Sequence, residues 1–215
     1  GAVAIDHDRI VAVDAADVID RKYEAADRID ARGQVVLPGL VNTHTHAAMV
    51  LFRGLGSDLA LMDWLNNYIF PSEKLSVSPD FVRVGTRLAA LEMIESGTTT
   101  FADMYYFESD VADVTKEAGL RAVLGQSVIQ FPVNDAPTPA DALTRADAFI
   151  AAWKTDPLIT PAVAPHAPYT LSPDQLKATR ALTNRHGVPL LIHLAETEDE
   201  VKDIATRYHA TPTGF

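Results

Sequence analysis

Two histidines one residue apart, His44 and His46, close the short hydrophobic segment that ends in GLVNTHTH. In a β-strand, side chains at positions i and i+2 point to the same side, so both imidazoles can reach one cation. An isolated H-x-H pair is weak evidence, because polar residues often end strands. Here His166 and His193 each end another predicted strand, within VAPHAPY and LLIHLAE. Histidines at three strand ends predict a shared site for Zn²⁺ or a similar divalent ion.

Carboxylates accompany these histidines. Glu196 lies just beyond His193, where a catalytic metal site needs an acid–base group beside its water. The alternative is an exposed acid at the start of an acidic helix, since residues 198–200 are all acidic. Asp103 ends the second predicted strand, and we expect it to accept a supporting hydrogen bond and not to bind a metal. The histidines away from strand ends are expected to have structural roles; these are His7, His186 and His209.

Composition narrows the classes of function. The 215 residues are 47% hydrophobic and 22% charged, as in an ordinary globular protein, and the net charge is −11. This acidic balance argues against nucleic acid or an anionic membrane as a partner and favours small molecules. The absence of cysteine excludes disulfides and thiolate ligands, so histidines and carboxylates must bind any metal. With no signal-peptide pattern and no long apolar run, a cytoplasmic location is expected.

The order of predicted elements indicates the fold class. Residues 1–34 are predicted to form a β-rich lead-in, and residues 35–215 alternate strands with amphipathic helices. The first of these helices has Ser78 as a predicted N-cap, followed by proline at its first turn. The predicted strands span residues 35–46, 98–104, 120–129, 158–165 and 188–194.

Five strand–helix steps imply an α/β fold with a parallel sheet, either open and doubly wound or closed into a (β/α)₈ barrel. No strand is followed by a G-x-G-x-x-G turn. The reactive side chains gather at strand C-termini, where barrels have their active sites, so a TIM-type barrel is predicted. Because a complete barrel needs about 250 residues, we expect residues 35–215 to be its N-terminal portion and the chain to be a fragment.

Several motifs in combination resemble the amidohydrolase superfamily. They are VVLPGLVNTHTH, FRGL, DWL, PSE, ESGTTTFADM, APHAPYTLS and IHLAET. Within the superfamily, the sequence is similar to the branch of 5-methylthioadenosine/S-adenosylhomocysteine deaminases, cytosine, adenosine and guanine deaminases, and triazine hydrolases. The resemblance runs along essentially the whole chain. It implies that residues 1–34 are part of a small β-sandwich that precedes the barrel.

The resemblance also implies roles for particular residues. It implies that Glu196 moves a proton from water to a ring nitrogen of the substrate. The implied metal ligands are His44, His46 and His193. The implied substrate-binding residues are Glu73 and His166. From its position alone, Glu73 could equally be a solvated acid at a helix start, whereas prolines flank His166 and stiffen the loop that presents it.

The implied cofactor is one divalent metal ion. Dinuclear relatives bridge two metals with a carboxylated lysine on the fourth strand, and residues 158–172 contain no lysine. A single ion is therefore expected, with zinc favoured over iron or manganese. The family also has a water-orienting histidine and a metal-binding aspartate on later strands. Neither has a counterpart before Phe215, so this chain alone is expected to be an incomplete enzyme.

The resemblance implies hydrolytic deamination of an adenine nucleoside. The expected substrate is 5′-methylthioadenosine, S-adenosylhomocysteine or adenosine, converted to the inosine analogue with release of ammonia. One alternative is the same chemistry on guanine, an oxidised purine or a triazine. Another is a non-catalytic protein that keeps the amidohydrolase fold without its metal. The expected partner is a small nucleoside or heterocycle, with self-association into a homo-oligomer as a further expectation.

Overall fold

The N-terminal unit, Gly1–Pro38, is built around an antiparallel hairpin. In the computed structural model, which describes residues 1–215, β1 (Ala2–Asp6) pairs with β2 (Arg9–Asp14). A short helix, α1 (Ala16–Lys22), follows the hairpin and was not predicted. Residues 24–39 contain no regular helix or strand, so the strand predicted after residue 34 is wrong at its start. Membership of this unit in a β-sandwich stays a prediction.

The second unit, Gly39–Phe215, carries a four-stranded parallel sheet, as the alternation of strands and helices predicts. Its strands lie in chain order, each paired with the next. They are β3 (Leu40–Thr45), β4 (Thr98–Tyr105), β5 (Arg121–Val128) and β6 (Ile159–Pro165). Carboxyl ends of parallel strands meet at one edge, so their terminal side chains converge there.

The fifth predicted strand, residues 188–194, pairs with β6 through a single bridge between Val163 and Leu190. The Val163 N–H donates to the Pro189 carbonyl at 3.2 Å, and the Leu191 N–H donates to the Val163 carbonyl at 3.1 Å. Two residues away on either side, β6 has Pro161 and Pro165, which have no N–H to continue this ladder. The segment therefore lies where a fifth strand would lie, without regular strand pairing.

Helices connect the strands, and the helix predicted after Ser78 is confirmed. After β3 comes a 3₁₀ turn, Ala47–Phe52, and a π-helical turn, Leu65–Ile69, joins the first two helices of this unit. Four helices start at an N-cap hydroxyl, among them Ser78, which accepts the Phe81 N–H. The helices are α2 (Leu61–Trp64), α3 (Phe70–Ser76), α4 (Pro79–Glu95), α5 (Glu108–Ala118), α6 (Pro139–Trp153), α7 (Pro173–His186) and α8 (Glu198–Tyr208). None of them combines the length and apolar character that crossing a membrane requires.

Helix α4 exposes several large apolar residues, while its buried face consists of Val82, Gly85, Thr86, Ala89, Ala90 and Met93. Val84, Leu88 and Leu91 recur at helical spacing, yet they are exposed. The buried face includes Gly85, where a Cβ would lie 2.5 Å from the Ala48 carbonyl oxygen. Only glycine permits this approach of α4 to the 3₁₀ turn. The contact holds in place the backbone that directly follows His46.

Candidate metal centre

Three predicted ligands meet at the C-terminal edge of the sheet. His44 lies in β3, His46 directly follows that strand, and His193 lies near the end of the irregular fifth segment. Their ligand atoms all lie within 4.8 Å of one another. The ring centroids are separated by 4.9 Å for His44–His46, 5.0 Å for His44–His193 and 5.2 Å for His46–His193. The structure thus brings His193 next to two histidines that precede it in the chain by at least 147 positions.

Hydrogen bonds orient two of these rings for metal binding. His46 Nδ1 donates to the Met104 carbonyl at 2.6 Å, and His193 Nδ1 donates to the His166 carbonyl at 2.9 Å. With the proton held at Nδ1, the Nε2 lone pair is the remaining donor to a cation. Burial lowers the pKa of His46 to about 4 and also lowers the pKa of His44, which favours neutral imidazole. This donor set fits zinc or a similar divalent ion.

Asp103, at the end of β4, fixes the backbone on both sides of His46. Its Oδ1 accepts the Thr45 hydroxyl at 2.5 Å and the Ala47 N–H at 2.6 Å. The side chain is almost fully buried, with 1% of its surface exposed. The hydrogen-bonding role predicted for Asp103 is confirmed, and the carboxylate acts on the two neighbours of a ligand instead of on the ligand itself.

Glu108, at the start of α5, forms a buried carboxyl pair with Asp103 that the sequence reasoning missed. Its Oε1 accepts the Tyr105 N–H at 2.7 Å, and its side chain is hydrogen-bonded to Asp103. Burial, and then the charge of Asp103, raise the pKa of Glu108 well above its ordinary value. The raised pKa favours the protonated form of Glu108 beside Asp103. A carboxyl directly before an apolar helix face was its only signal in the sequence.

The protonated state of Glu108 predicts a specific pH dependence of stability. The folded chain holds a proton that an unfolded glutamate has lost, so the free energy of unfolding should fall as pH rises. Glu108→Gln keeps a donor and an acceptor but cannot titrate. We expect its stability relative to the unsubstituted chain to increase by up to about 1.4 kcal/mol per pH unit as the pH rises above the ordinary pKa of glutamate. Urea unfolding at several pH values measures this difference; parallel pH curves for the two proteins would contradict it.

Glu196, the predicted proton carrier, lies on the exposed turn that follows His193. Its Oε2 accepts the hydroxyl of Tyr169 at 3.0 Å, and its side chain borders the same cavity as His46 and His193. Tyr169 lies on the loop after β6 and is half-buried. It was not singled out from the sequence, where a tyrosine in a loop carries no distinguishing signal.

The two predicted substrate-binding residues also line this cavity. Glu73 is buried, with 7% of its surface exposed, and it accepts the Tyr105 hydroxyl at 2.8 Å. Burial raises the pKa of Glu73 to about 7, against the opposing effect of hydrogen bonds from Tyr105 and Tyr106. The structure therefore excludes a solvated helix-start acid. His166 is bonded through Nδ1 to the Thr170 hydroxyl at 3.0 Å, and burial lowers the pKa of His166 to about 3.

A groove of about 600 Å³ adjoins the histidines. It runs from His46 along the loop to Trp64, whose indole N–H donates to the Leu55 carbonyl at 2.8 Å. Its volume is within the range of roughly 300–1,000 Å³ that is typical of small-molecule sites. Met49 and Trp64 border both this groove and the cavity that contains Glu73. The groove could take a ligand the size of a nucleoside beside His46.

The chain resembles known proteins along most of its length. Residues 35–213 match the amidohydrolase family. The chain is 49% identical over 212 residues to a 5-methylthioadenosine/S-adenosylhomocysteine deaminase of Syntrophobacter fumaroxidans, covering 99% of this chain and 48% of that protein. It is 44% identical over 189 residues to the deaminase of the same name from Aquifex aeolicus, covering 88% of this chain and 44% of that protein. The chain thus spans about half the length of the curated relatives it matches.

Solved structures agree with the fold. An adenosine deaminase from Xanthomonas campestris with bound zinc is 41% identical and superposes with a TM-score of 0.80, over 82% of this chain and 40% of that chain. Guanine deaminase of E. coli has a TM-score of 0.82 at 21% identity, over 96% of this chain and 50% of that chain, which supports the fold alone. The predicted TIM-barrel architecture and the predicted superfamily are confirmed. With its three histidines at the edge of a parallel sheet, this chain belongs to the amidohydrolase family.

Proposed function

We propose that this chain carries the metal centre of a hydrolytic deaminase that acts on adenine nucleosides. The observation that carries the proposal is the set of three imidazoles, two with Nδ1 bonded to a carbonyl, beside Glu196, with a groove of nucleoside size next to His46. The names of the relatives and of the zinc-containing neighbour support this reaction and the substrates 5′-methylthioadenosine, S-adenosylhomocysteine and adenosine.

His44, His46 and His193 would hold one divalent cation, with zinc favoured and iron or manganese as alternatives. When bound, such a cation supplies Lewis-acid chemistry that makes water a competent nucleophile near neutral pH. Carbonyl partners fix the tautomer of His46 and His193, which raises the basicity of these two ligands and lowers the cost of ordering them. Asp103 and Glu108 contribute by holding the backbone around His46.

Glu196 would move the proton in the reaction. Water adds its oxygen to the ring carbon that bears the amino group, the C–N bond breaks, and ammonia leaves. One proton of the water departs with ammonia, and the other remains on the ring nitrogen of the product. Tyr169 occupies Oε2 of Glu196, so Oε1 is the atom that would take the proton from water and give it to the ring nitrogen.

Glu73 and His166 would bind and orient the nucleoside. A carboxylate such as Glu73 accepts hydrogen bonds from ribose hydroxyls or a ring N–H, and a neutral imidazole such as His166 can donate to a ring nitrogen. Both side chains border the cavity that contains His46, His193 and Glu196. This shared lining supports their role as substrate-binding residues.

Substrate affinity should depend on the ionisation of Glu73. Because its pKa lies at about 7, protonation at lower pH removes an acceptor for the ribose, and KM should rise as pH falls below about 7. Glu73→Gln should raise KM about 10- to 100-fold with little change in kcat, as expected for loss of a hydrogen bond to a charged group. Steady-state kinetics across pH measure both effects. The exposed Glu95→Gln serves as the control, and an unchanged KM in Glu73→Gln would remove Glu73 from the binding site.

Ammonia release from a panel of substrates tests the proposed function. The panel comprises 5′-methylthioadenosine, S-adenosylhomocysteine, adenosine, guanine and a chlorinated triazine, assayed with the full-length protein before and after chelation and after zinc is restored. We expect zinc-dependent ammonia release from at least one adenine nucleoside. Turnover of guanine or the triazine alone would place the chain with a different substrate class. Zinc binding without turnover of any ring substrate would favour a non-catalytic role.

A further inference from the structure

The turn between His193 and α8 adopts an unfavourable backbone conformation. Ala195 has φ of +56°, in the left-handed region that residues with a Cβ rarely occupy. Ala195 and Glu196 are both exposed, so packing around them does not hold this conformation. A strained backbone persists only where neighbouring groups impose it. The group that imposes the positive φ of Ala195 therefore also sets the backbone position of Glu196.

Glu200 supplies that constraint from the first turn of α8. Its Oε1 accepts the N–H of Ala195 and its Oε2 accepts the N–H of Glu196, both at 2.9 Å. The side chain is buried, with 4% of its surface exposed, unlike the neighbouring acids at positions 198 and 199. Each carboxylate oxygen therefore accepts one of two successive backbone N–H groups at the proposed catalytic position. Glu200 is therefore the buried member of the acidic run at residues 198–200.

This arrangement differs from an ordinary helix cap. Thr197 is the N-cap of α8, and its hydroxyl accepts the N–H of Glu200 at 3.1 Å. In a capping box, the glutamate at this position would reach back to the N–H of the N-cap residue itself. Glu200 reaches one and two residues further, to Glu196 and Ala195. Its carboxylate thus stabilises the turn before the helix in addition to the favourable position it has near the helix N-terminus.

Tyr169 holds the other end of Glu196. Its hydroxyl donates to Glu196 Oε2 at 3.0 Å, and its ring lies with its centroid 6.0 Å from that of His166. The backbone of Glu196 is bonded to Glu200 while one oxygen of its carboxylate is bonded to Tyr169. The other carboxylate oxygen of Glu196, Oε1, has no donor from the protein. A side chain held at both ends loses little freedom in reaching a reactive geometry.

We infer that Glu200 and Tyr169 are positioning residues that hold Glu196 for proton transfer. This inference rests on the proposed function, because Glu196 is the residue through which both act. Neither residue touches the reacting atoms in this role. Glu200 sets the backbone turn at Ala195, and Tyr169 sets the rotamer of the carboxylate.

Glu200→Gln is the direct test of this inference. A glutamine side chain has one carbonyl oxygen, so it can accept only one of the two N–H groups and places an amide donor against the other. We expect kcat to fall on the order of 100-fold, the loss that a displacement of about 1 Å produces, while KM and zinc content stay the same. Glu198→Gln is the matched control, since Glu198 is exposed on the same helix turn. A wild-type kcat in Glu200→Gln would overturn the inference.

Two combinations separate positioning from general destabilisation. In a Glu196→Gln background, adding Glu200→Gln should lower the residual kcat no further, because the two residues act as one unit. An equal further loss would assign Glu200 a purely structural role and overturn the inference. Adding Ala195→Gly to Glu200→Gln should restore part of kcat, since glycine adopts positive φ without a Cβ penalty. Tyr169→Phe, which leaves the turn intact, should also lower kcat with unchanged KM and thermal stability.

Amide hydrogen exchange separates this inference from the proposed function. In the wild-type chain, the N–H groups of Ala195 and Glu196 should exchange slowly, and in Glu200→Gln exchange at these two positions should accelerate. If the wild-type protein releases no ammonia from any nucleoside, the proposed function fails, and accelerated exchange still supports the clamp by Glu200. Unchanged exchange at both positions overturns the clamp whatever the activity.

Discussion

Glu196→Gln is expected to lower kcat roughly 10²- to 10⁴-fold, the usual contribution of a general acid–base group. Glutamine preserves the size of the side chain and the hydrogen bond with Tyr169, but it cannot accept a proton at the oxygen that faces the substrate. Zinc content and KM should stay close to those of the wild-type protein, because Glu196 is not one of the three convergent histidines. Ammonia release, elemental analysis and thermal unfolding measure these quantities.

Glu198→Gln is the control for this substitution as well. Glu198 is exposed and pairs with Lys202, so its loss removes a similar charge from the same region without touching the cavity. Retained turnover in Glu196→Gln would sink the assignment of Glu196 as the proton carrier. Loss of zinc together with turnover would instead indicate that Glu196 supports the metal site.

Loss of the hydrogen-bond partner of a metal ligand typically weakens metal binding roughly 10- to 100-fold. His46→Ala removes a proposed ligand itself, so we expect it to weaken zinc binding by more than this. The substitution removes one of three convergent donors and leaves the Met104 carbonyl without its partner. Competition with a chromogenic chelator measures the affinity, and no turnover is needed for the readout. Activity should fall in parallel with zinc content.

His209→Asn is the matched control for His46→Ala. His209 is exposed and has φ of +52°, a conformation that asparagine tolerates, so the substitution removes an imidazole without straining the helix end. We expect its zinc affinity to equal that of the wild-type protein. An unchanged affinity in His46→Ala would mean that the ion is bound elsewhere.

The convergence of the three histidines was predictable because each of them obeys a rule that holds locally. His44 and His46 share a side of one strand by the alternation of side chains, and His193 ends a predicted strand at the same edge of a parallel sheet. Position along the sequence could not decide whether His166 belongs to this set, because His166 also ends a strand. The structure distinguishes it, because its carbonyl oxygen is bonded to His193 and its own ring packs 5.0 Å from that residue.

Burial of acidic residues was the part that the sequence could not settle. Glu73, Glu108 and Glu200 all lie within the first turn of a helix, where a solvated carboxylate is the common outcome. Each is buried here because a partner from outside its own helix meets it: Tyr105 for Glu73, Asp103 for Glu108, and the turn at Ala195 for Glu200. Such contacts depend on tertiary packing. One local signal existed, since Thr197-x-x-Glu200 has the spacing of a capping box.

Local sequence patterns also could not predict that residues 188–194 lack regular strand pairing. Residues 188–194 are as apolar as the other strands, and the failure of their ladder arises in a different segment, from Pro161 and Pro165. In the same way, the spacing of Val84, Leu88 and Leu91 predicts helix α4 correctly without indicating that its small residues face inwards.

Because the ladder is interrupted, a single carbonyl group, that of His166, connects the sheet to one of the three convergent histidines. The His166 oxygen accepts both the main-chain N–H of His193 at 3.0 Å and its ring Nδ1 at 2.9 Å. The backbone of the fifth segment and the imidazole it carries are therefore fastened at a single point. A cation that binds this imidazole would also favour the conformation in which the segment is paired with the sheet. Occupancy of the site and order of the segment are then linked by mass action. The metal would then act as a cross-link between strands as well as a reagent.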